Sequence, residues 1–444
     1  MSTTLDCQEL TPQRPKNLLS PFVSKIKKIE YGFTVIVLFL YSNDMTELFI
    51  SGGASEGDGV DMLSFDYSPV RRLYLMVYLL TIALVSLRWK KILYTLLQNK
   101  YLLVLLLLVP LSTLWSVDPA TTINASIAMI GSSLMGVYLA SRYTLREQLR
   151  ILGITFGLVL VVSLLFVLFL PHYGIMGGIH SGAWRGVSTH KNGFGQLMVF
   201  TSTLFFVLAN TQRPKWLYWL GFALAFTSII FSNSGGALLN FVIATSLAIG
   251  TRFFCLSKNR FILLLIAFIL VGCSLSVWLP EIFATTLGAV GKDTTLTGRT
   301  DLWPYAIDKI IERPWLGYGY NAFWNGLDGE SAYIIRAVRW DTPNAHNGFL
   351  DLWLQVGFIG LFIYIAALWE MFFKAALLTR ITQSWEQNWI LAFLVLSIIS
   401  NLSETLMMSR NSFSWILFLS CGFSESIIFN RLLTYRRQAR LVQK

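Results

Sequence analysis

Apolar segments of nearly twenty residues recur along the chain from residue 31 to residue 430, and short polar stretches separate them. A helix needs about 20 apolar residues to cross a hydrocarbon core of about 30 Å, and it satisfies its own backbone hydrogen bonds there. The pattern therefore predicts an all-α polytopic membrane protein with about 12 transmembrane helices. Asn43, Asp44 and Glu47 interrupt the outer half of the first span. The predicted spans are 31–50, 70–87, 101–115, 121–140, 151–170, 193–210, 214–231, 234–251, 261–279, 347–369, 387–402 and 412–430.

The composition agrees with this class of protein. Of the 444 residues, 55% are hydrophobic and 13% are charged, and the mean hydropathy is +0.58. A soluble domain is about one quarter charged. No separate soluble domain and no cleaved signal peptide are expected.

The net charge of +11 has a membrane explanation rather than a nucleic-acid one. Lysine and arginine concentrate in alternate loops and in both terminal segments, and the positive-inside rule places such loops in the cytoplasm. Both termini are therefore predicted to be cytoplasmic. The predicted divisions are a tail at 1–30, spans one to nine at 31–279, a large external loop at 280–346, spans ten to twelve at 347–430, and a tail at 431–444.

The cysteines indicate neither a disulfide framework nor a metal site. Cys7 and Cys255 fall on the predicted cytoplasmic side, whereas Cys273 and Cys421 lie within spans. No metal-ligand spacing of cysteine or histidine is present. We expect no metal and no cofactor.

The long external loop is predicted to fold. About 65 residues without structure would be unusual in a compact protein. Thr300 or Asp301 can cap a helix that Pro314 ends. Such a helix would act as a lid over the bundle or lie on the membrane surface, with Arg299 just before its first turn. Its predicted apolar face consists of Leu302, Trp303, Ala306, Ile307, Ile310 and Ile311.

A glycine-rich external loop precedes the sixth span, with the sequence "HYGIMGGIHSGAWRGVSTHKNGFGQ". Glycine lets the backbone approach a ligand closely, and Arg185 with Lys191 would attract an anion. Phosphate contact is one interpretation of this loop. The other is that His190 and Lys191 only cap the sixth span.

His346 lies in "DTPNAHNGFLDLW", at the predicted start of the tenth span. Asn344 or Asn347 can cap the helix. The positive end of a helix dipole disfavours a charged imidazole, so His346 should stay neutral near pH 7 and be able to accept a proton. The alternative is that His346 only hydrogen-bonds the loop to the membrane face.

Three segments resemble a known family. A "GR..LW" segment, a "P.LG.G...F" segment and then "HNGFLDLWLQVGFIGL" are similar to the O-antigen ligase and polymerase superfamily, and most similar to its exopolysaccharide polymerase branch. The similarity extends over roughly residues 185–365. Members are bacterial inner-membrane glycosyltransferases that take a glycan from an undecaprenyl-pyrophosphate carrier on the periplasmic side.

The resemblance implies roles for matching residues only. It implies that His346 is the base that helps to deprotonate the acceptor hydroxyl, and that Arg185 and Arg299 hold the donor pyrophosphate. His190, Lys191 and Asn347 are auxiliary candidates. Many relatives carry Ser-Arg where this chain has Ser234-Gly235, so a charge contact from that turn is missing or supplied elsewhere.

The function implied is metal-independent, inverting transfer of glycan to a growing polysaccharide by a polymerase. Its partners would be the lipid-linked donor, a glycan acceptor, membrane lipids, and a flippase and a chain-length regulator as candidate partner proteins. One alternative is an O-antigen ligase that transfers glycan to lipid A core. Others are a transporter or flippase for lipid-linked sugars and a scaffold without catalytic activity.

Overall fold

The computed structural model describes residues 21–54, 65–253, 297–339 and 341–442, with isolated positions 266, 270 and 274. Within those ranges the chain is helical, and its only β pairing is an isolated antiparallel bridge between Ile175 and Trp184. The all-α prediction is therefore confirmed. The helices are α1 Pro21–Tyr41, α2 Met45–Ile50, α3 Ser68–Ser86, α4 Trp89–Leu96, α5 Lys100–Leu111, α6 Pro119–Arg142, α7 Leu145–Phe169, α8 Lys191–Thr211, α9 Lys215–Phe231, α10 Gly235–Phe253, α11 Thr297–Glu312, α12 Ala332–Val338, α13 Gly348–Thr382, α14 Trp385–Ser400 and α15 Phe413–Val442.

Six of the described helices are long and apolar enough to cross a membrane. They are α3, α6, α7, α8, α13 and α15, which correspond to predicted spans two, four, five, six, ten and twelve. A seventh candidate is a pair bent by 103°, which joins α4 to the segment Lys100–Leu114. These helices confirm a protein with several membrane-spanning segments.

The remaining predicted spans do not appear as long, uninterrupted helices in the described residues. The helices of spans seven, eight and eleven are apolar but shorter, and span nine at 261–279 lies outside the described residues apart from isolated positions. The first span is interrupted, because α1 ends at Tyr41 and α2 begins at Met45. The number of twelve spans stays a prediction. At the two ends, α1 begins at Pro21 and α15 continues to Val442, so helices extend into both predicted tails.

Close helix crossings use small residues. A Cβ atom on Gly136 of α6 would lie 2.8 Å from the Ile416 carbonyl oxygen of α15, and one on Gly131 would lie 2.6 Å from the Tyr78 ring of α3. Between membrane helices, small residues allow the backbones to approach and gain van der Waals contact. These two glycines let α3 and α15 pack on α6.

Helix α13 is broken at Gly357, where φ is 69° and ψ is −175°. The break frees backbone groups on both sides of it. The amides of Tyr318 and Gly319 donate to the carbonyls of Leu354 and Gln355 at 2.8 and 2.9 Å, and the amide of Phe358 donates to the Pro314 carbonyl at 2.8 Å. Non-helical backbone is tolerated beside a membrane only where protein satisfies it, and the segment 314–319 does so here.

The described part of the long loop at 280–346 has a hydrophobic core of its own, separate from the main core of the bundle. This second core packs on the first turns of α13 and consists of Leu302, Ala306, Ile310, Tyr318, Phe323, Ile334, Ala345 and Leu354.

Two expectations for helix α11 need correction. It begins at Thr297, so Arg299 lies within the first turn rather than before it, and Thr300 and Asp301 lie inside the helix rather than at its cap. Its buried face is also narrower than predicted, because Ile307 and Ile311 are 45% and 68% exposed. Apolar periodicity cannot separate a face that meets a protein core from one that meets lipid or solvent, and here Leu302, Ala306 and Ile310 form the core face.

Candidate active site

His346 occupies a tight turn between α12 and α13. It is half-buried, and its φ of +48° is in the left-handed region that side chains with a Cβ rarely adopt. Its amide donates to the Asn344 side-chain oxygen at 2.9 Å. Such a conformation costs of order 1 kcal/mol and persists only where neighbouring contacts enforce it.

The neighbouring contacts come from three separate segments. The Ala345 carbonyl accepts a hydrogen bond from Trp303 Nε1 of α11 at 3.0 Å, and the Ala345 amide donates to both carboxylate oxygens of Asp351. After the histidine, the Gly348 amide donates to the Asn401 carbonyl at 2.8 Å. A Cβ atom on Gly348 would lie 2.3 Å from Asn401 Oδ1, so only glycine fits this contact.

Asn347 caps α13. Its Oδ1 accepts hydrogen bonds from the amides of Phe349 and Leu350 at 3.0 and 3.2 Å. Of the two asparagines that the sequence offered, Asn347 is thus the capping residue. Asn344 instead accepts from the His346 amide, so one asparagine binds the histidine and the other caps the helix that follows it.

Arg299 is brought near this turn through its helix. It lies in the first turn of α11, although its side chain falls outside the described residues. Trp303, about one helical turn further along α11, makes the hydrogen bond to Ala345. The backbone carrying Arg299 and the backbone carrying His346 therefore meet at one end of the bundle.

Arg185 is completely buried, with 0% of its side chain exposed. Its guanidinium donates to four backbone carbonyls: Tyr173 at 2.8 Å, Gly53 at 2.7 Å, His172 at 3.1 Å and Ala54 at 3.2 Å. This arginine joins the glycine-rich loop to the segment that follows α2. Its contacts hold the glycine-rich loop against residues 53–54, and its contact with a donor pyrophosphate stays a prediction.

His190 and Lys191 lie at the start of α8. His190 is the N-cap residue, and its Nδ1 accepts from the Asn192 amide at 3.2 Å, as the capping interpretation expects. Lys191 Nζ donates to the Asn233 carbonyl at 3.3 Å. The lysine thereby places a cation at the turn before α10, where Ser234-Gly235 supplies none.

Hydrogen bonds connect the start of α8 to the start of α13. Ser400 donates to Gln196 Oε1 of α8 at 3.2 Å and accepts from Asn240 of α10 at 3.1 Å. The next residue, Asn401, accepts from Gly348. The helix starts that carry the glycine-rich loop and the histidine turn therefore lie at the same end of the protein.

Ionic contacts stabilise the fold of the long loop at 280–346. Lys309 Nζ donates to Glu312 at 2.8 Å and to Glu330 at 3.0 Å. Partial burial lowers the pKa of Lys309, but the hydrogen bonds and charges of Glu312 and Glu330 outweigh it and raise that pKa above its usual value. The ammonium stays charged, and it ties α11 to the segment before α12.

Sequence reasoning did not single out Asp351 and Thr405. Asp351 is 1% exposed. Its position could have been noticed in the sequence, because an acidic residue stands there in the first turn of an apolar helix. Thr405 donates to the Asp351 carboxylate from a segment that follows α14. Among the described residues, no group of three or more histidine, cysteine, aspartate or glutamate side chains is arranged to bind a metal ion.

The fold and the site define a class of protein: a helical membrane protein in which a folded loop holds a histidine turn in place. Residues 220–365 match the family model described as O-Antigen ligase, which confirms the resemblance stated from the sequence. The chain is also 26% identical over 315 residues to the exopolysaccharide production protein ExoQ of Rhizobium meliloti (strain 1021), covering 67% of this chain and 70% of that protein. These similarities support a role in membrane polysaccharide biosynthesis.

Proposed function

We propose that this protein is a polysaccharide polymerase of the bacterial inner membrane, with both termini in the cytoplasm and the active site on the periplasmic face. It transfers glycan from an undecaprenyl-pyrophosphate-linked donor to a growing polysaccharide. This proposal rests on the His346 turn. The backbone of the turn is strained, and contacts from α11, α13 and the segment after α14 hold it.

The reaction is a single inverting displacement. The acceptor oxygen forms a bond to the anomeric carbon, and the bond from that carbon to the pyrophosphate oxygen breaks. The acceptor proton passes to the neutral imidazole of His346, and the lipid pyrophosphate leaves with the bonding electrons. A positioned base of this kind contributes about a hundredfold or more in rate.

The pyrophosphate charge is offset by guanidinium groups, so the proposed mechanism needs no metal ion. Arg299 grips the phosphates with its rigid fork. Arg185, whose hydrogen bonds go to backbone carbonyls, contributes its buried charge through space while it holds the loops. Lys191, at the end of the glycine-rich loop, adds a third positive charge.

The polymerase is preferred to the ligase because the similar protein ExoQ is named for exopolysaccharide production. The ligase uses the same donor and differs in its acceptor, lipid A core. Deleting the gene separates them. Loss of a polymerase leaves single repeat units attached to the surface, whereas loss of a ligase leaves long chains on the carrier lipid.

A transporter of lipid-linked sugars is a second candidate, which one observation favours. Lys374 and Glu425 are buried within α13 and α15, and charged residues inside spans often line a transport path. However, Lys374 Nζ donates to Glu370 of the same helix at 2.5 Å and to Ser426 of α15 at 3.0 Å, and the second contact also joins the two helices. In liposomes, a transporter would move the lipid-linked donor without forming a glycosidic bond.

The decisive experiment uses purified protein in liposomes with an undecaprenyl-pyrophosphate-linked repeat unit. His346→Ala should lose polymer formation by about a hundredfold or more while keeping its elution profile. Thr227→Ala, a change at an exposed side chain of α9 outside the proposed site, serves as the control and should keep wild-type activity. Polymer formation by His346→Ala at the wild-type rate would refute the proposed mechanism.

Arg299→Lys tests the proposed phosphate grip. A lysine keeps the positive charge but cannot reproduce two parallel hydrogen bonds, so donor use should fall about tenfold or more. Arg336→Lys is the control, because Arg336 is exposed on the neighbouring helix α12. Equal KM values for the donor in wild type and Arg299→Lys would show that Arg299 does not bind the donor.

A further inference from the structure

The Asp351 carboxylate is a junction between three segments of the external end. It accepts hydrogen bonds from Trp324 Nε1 of the long loop at 2.7 Å, from the Ala345 amide at 3.0 and 3.1 Å, and from the Thr405 hydroxyl. It is 1% exposed. A buried carboxylate is costly unless donors surround it, and here both oxygens accept such bonds.

The junction acts next to the proposed base. Ala345 precedes His346, and its carbonyl is held by Trp303 at 3.0 Å while its amide is held by Asp351. The peptide groups before and after Ala345 are thus both fixed, so the Cα atom of His346 has little freedom to move. The left-handed φ of His346 is an independent sign that its position is enforced.

Thr405 adds a second connection to the same turn. Its hydroxyl lies 3.3 Å from Asn344 Oδ1, the oxygen that accepts from the His346 amide, and closer to the Asp351 carboxylate. A hydroxyl has one hydrogen to donate, so the closer contact with Asp351 holds it. Thr405 is itself anchored, because the amides of the next two residues, Leu406 and Met407, donate to Asn401 Oδ1 at 2.8 and 2.9 Å.

We propose that Asp351 and Thr405 form a positioning pair that sets the direction of the His346 imidazole toward the acceptor hydroxyl. This inference rests on the proposed function of His346 and adds to it. Neither residue transfers a proton or touches the donor. A displacement of about 1 Å from reactive geometry can cost about a hundredfold in rate, so the pair should control kcat far more than donor binding.

A purely structural role would lower stability without this kinetic signature. The threonine allows a clean comparison, because Thr405→Ser keeps the hydroxyl while Thr405→Val removes it and nearly keeps the shape. Thr201→Val is the matched control. Thr201 is also buried and its hydroxyl donates to a backbone carbonyl at 2.8 Å, but it lies within α8.

The experiment measures kcat and KM for a lipid-linked repeat unit with each variant in liposomes. Thr405→Val should lose about tenfold or more in kcat with donor KM within about twofold, and Thr405→Ser should recover most of that loss. Asp351→Asn should show a similar kcat loss. The double variant should be no worse than Asp351→Asn alone, since both changes break one contact. Thr201→Val should keep the wild-type kcat.

The outcomes separate this inference from the proposed function. Wild-type kcat in both Thr405→Val and Asp351→Asn, with His346→Ala inactive, would overturn the positioning pair and leave the proposed function standing. An active His346→Ala would overturn the function itself. If Asp351→Asn does not fold, the comparison between Thr405→Val and Thr405→Ser decides alone.

Discussion

Gly317 and Gly357 meet backbone against backbone where the long loop crosses the break in α13. A Cβ atom on Gly317 would lie 2.7 Å from the Gly357 nitrogen, and a Cβ atom on Gly357 would lie 2.2 Å from the Trp315 carbonyl oxygen. Both residues also have a positive φ, at 68° and 69°. The contact therefore excludes side chains at both positions for steric and conformational reasons.

Gly357→Ala should destabilise the folded protein by roughly 3 kcal/mol or more, because overpacking adds to the cost of a left-handed alanine. Gly326→Ala is the matched control. Gly326 has a φ of +65° but nothing within 4 Å of its added Cβ, so only the conformational cost of about 1 kcal/mol remains. Thermal unfolding in detergent measures both, and equal losses would show that the close contact is not present.

Arg185→Lys should lower the melting temperature even when no donor is present. A lysine ammonium cannot reach four carbonyls spread around a planar guanidinium, so roughly 3 kcal/mol or more should be lost from unsatisfied buried groups. Arg336→Lys, a change at an exposed arginine, should have no measurable effect. If Arg185→Lys melts at the wild-type temperature but binds donor poorly, Arg185 acts at the pyrophosphate rather than on the loops.

Removing the cap of α13 should affect transfer as well as stability. Asn347→Ala should cost about 1 kcal/mol, and activity should fall because the histidine turn loosens; Asn347→Asp should keep the cap. Ser384 caps α14 through the Gln387 amide at 3.3 Å and is the control. Ser384→Ala should cost about the same stability with transfer unchanged, so a similar activity loss in both alanine variants would contradict a local effect.

Trp303→Phe removes the donor to the Ala345 carbonyl and keeps most of the apolar surface. Stability should fall by about 1 kcal/mol, and transfer should fall further because one clamp on the histidine turn is lost. Trp315→Phe, at a tryptophan that is 65% exposed, should leave both properties unchanged. The rate of polymer formation per folded protein is the quantity to compare, and full activity in Trp303→Phe would show that this clamp is dispensable.

The long apolar helices were predictable from the sequence because membrane insertion depends on summed hydropathy. The break at Gly357 was not, because the apolar residues continue across it and the groups that satisfy it come from the segment 314–319. The first span shows the opposite case. Asn43 and Asp44 interrupt the hydrophobic pattern, and there the chain leaves α1 and begins α2.

Site residues were predictable to a similar degree. The sequence identified the histidine turn and its asparagine cap, since both depend on neighbours a few residues away. It did not identify the acceptors of Arg185, because a charge in a glycine-rich loop does not reveal that carbonyls from 53–54 and 172–173 surround it. Asp351 and Thr405 are 54 residues apart, and their contact depends on the tertiary fold.

The interrupted helix α13 has a mechanical consequence for the histidine. The long loop bonds to the backbone on both sides of Gly357. Tyr318 and Gly319 donate to Leu354 and Gln355 before the break, and Phe358 and Ile359 donate to Pro314 and Trp315 after it. These bonds hold the two halves of α13 at one angle, so the break is a rigid bend rather than a hinge. A tilt of residues 358–382 would therefore move the loop and the histidine turn together, as one unit.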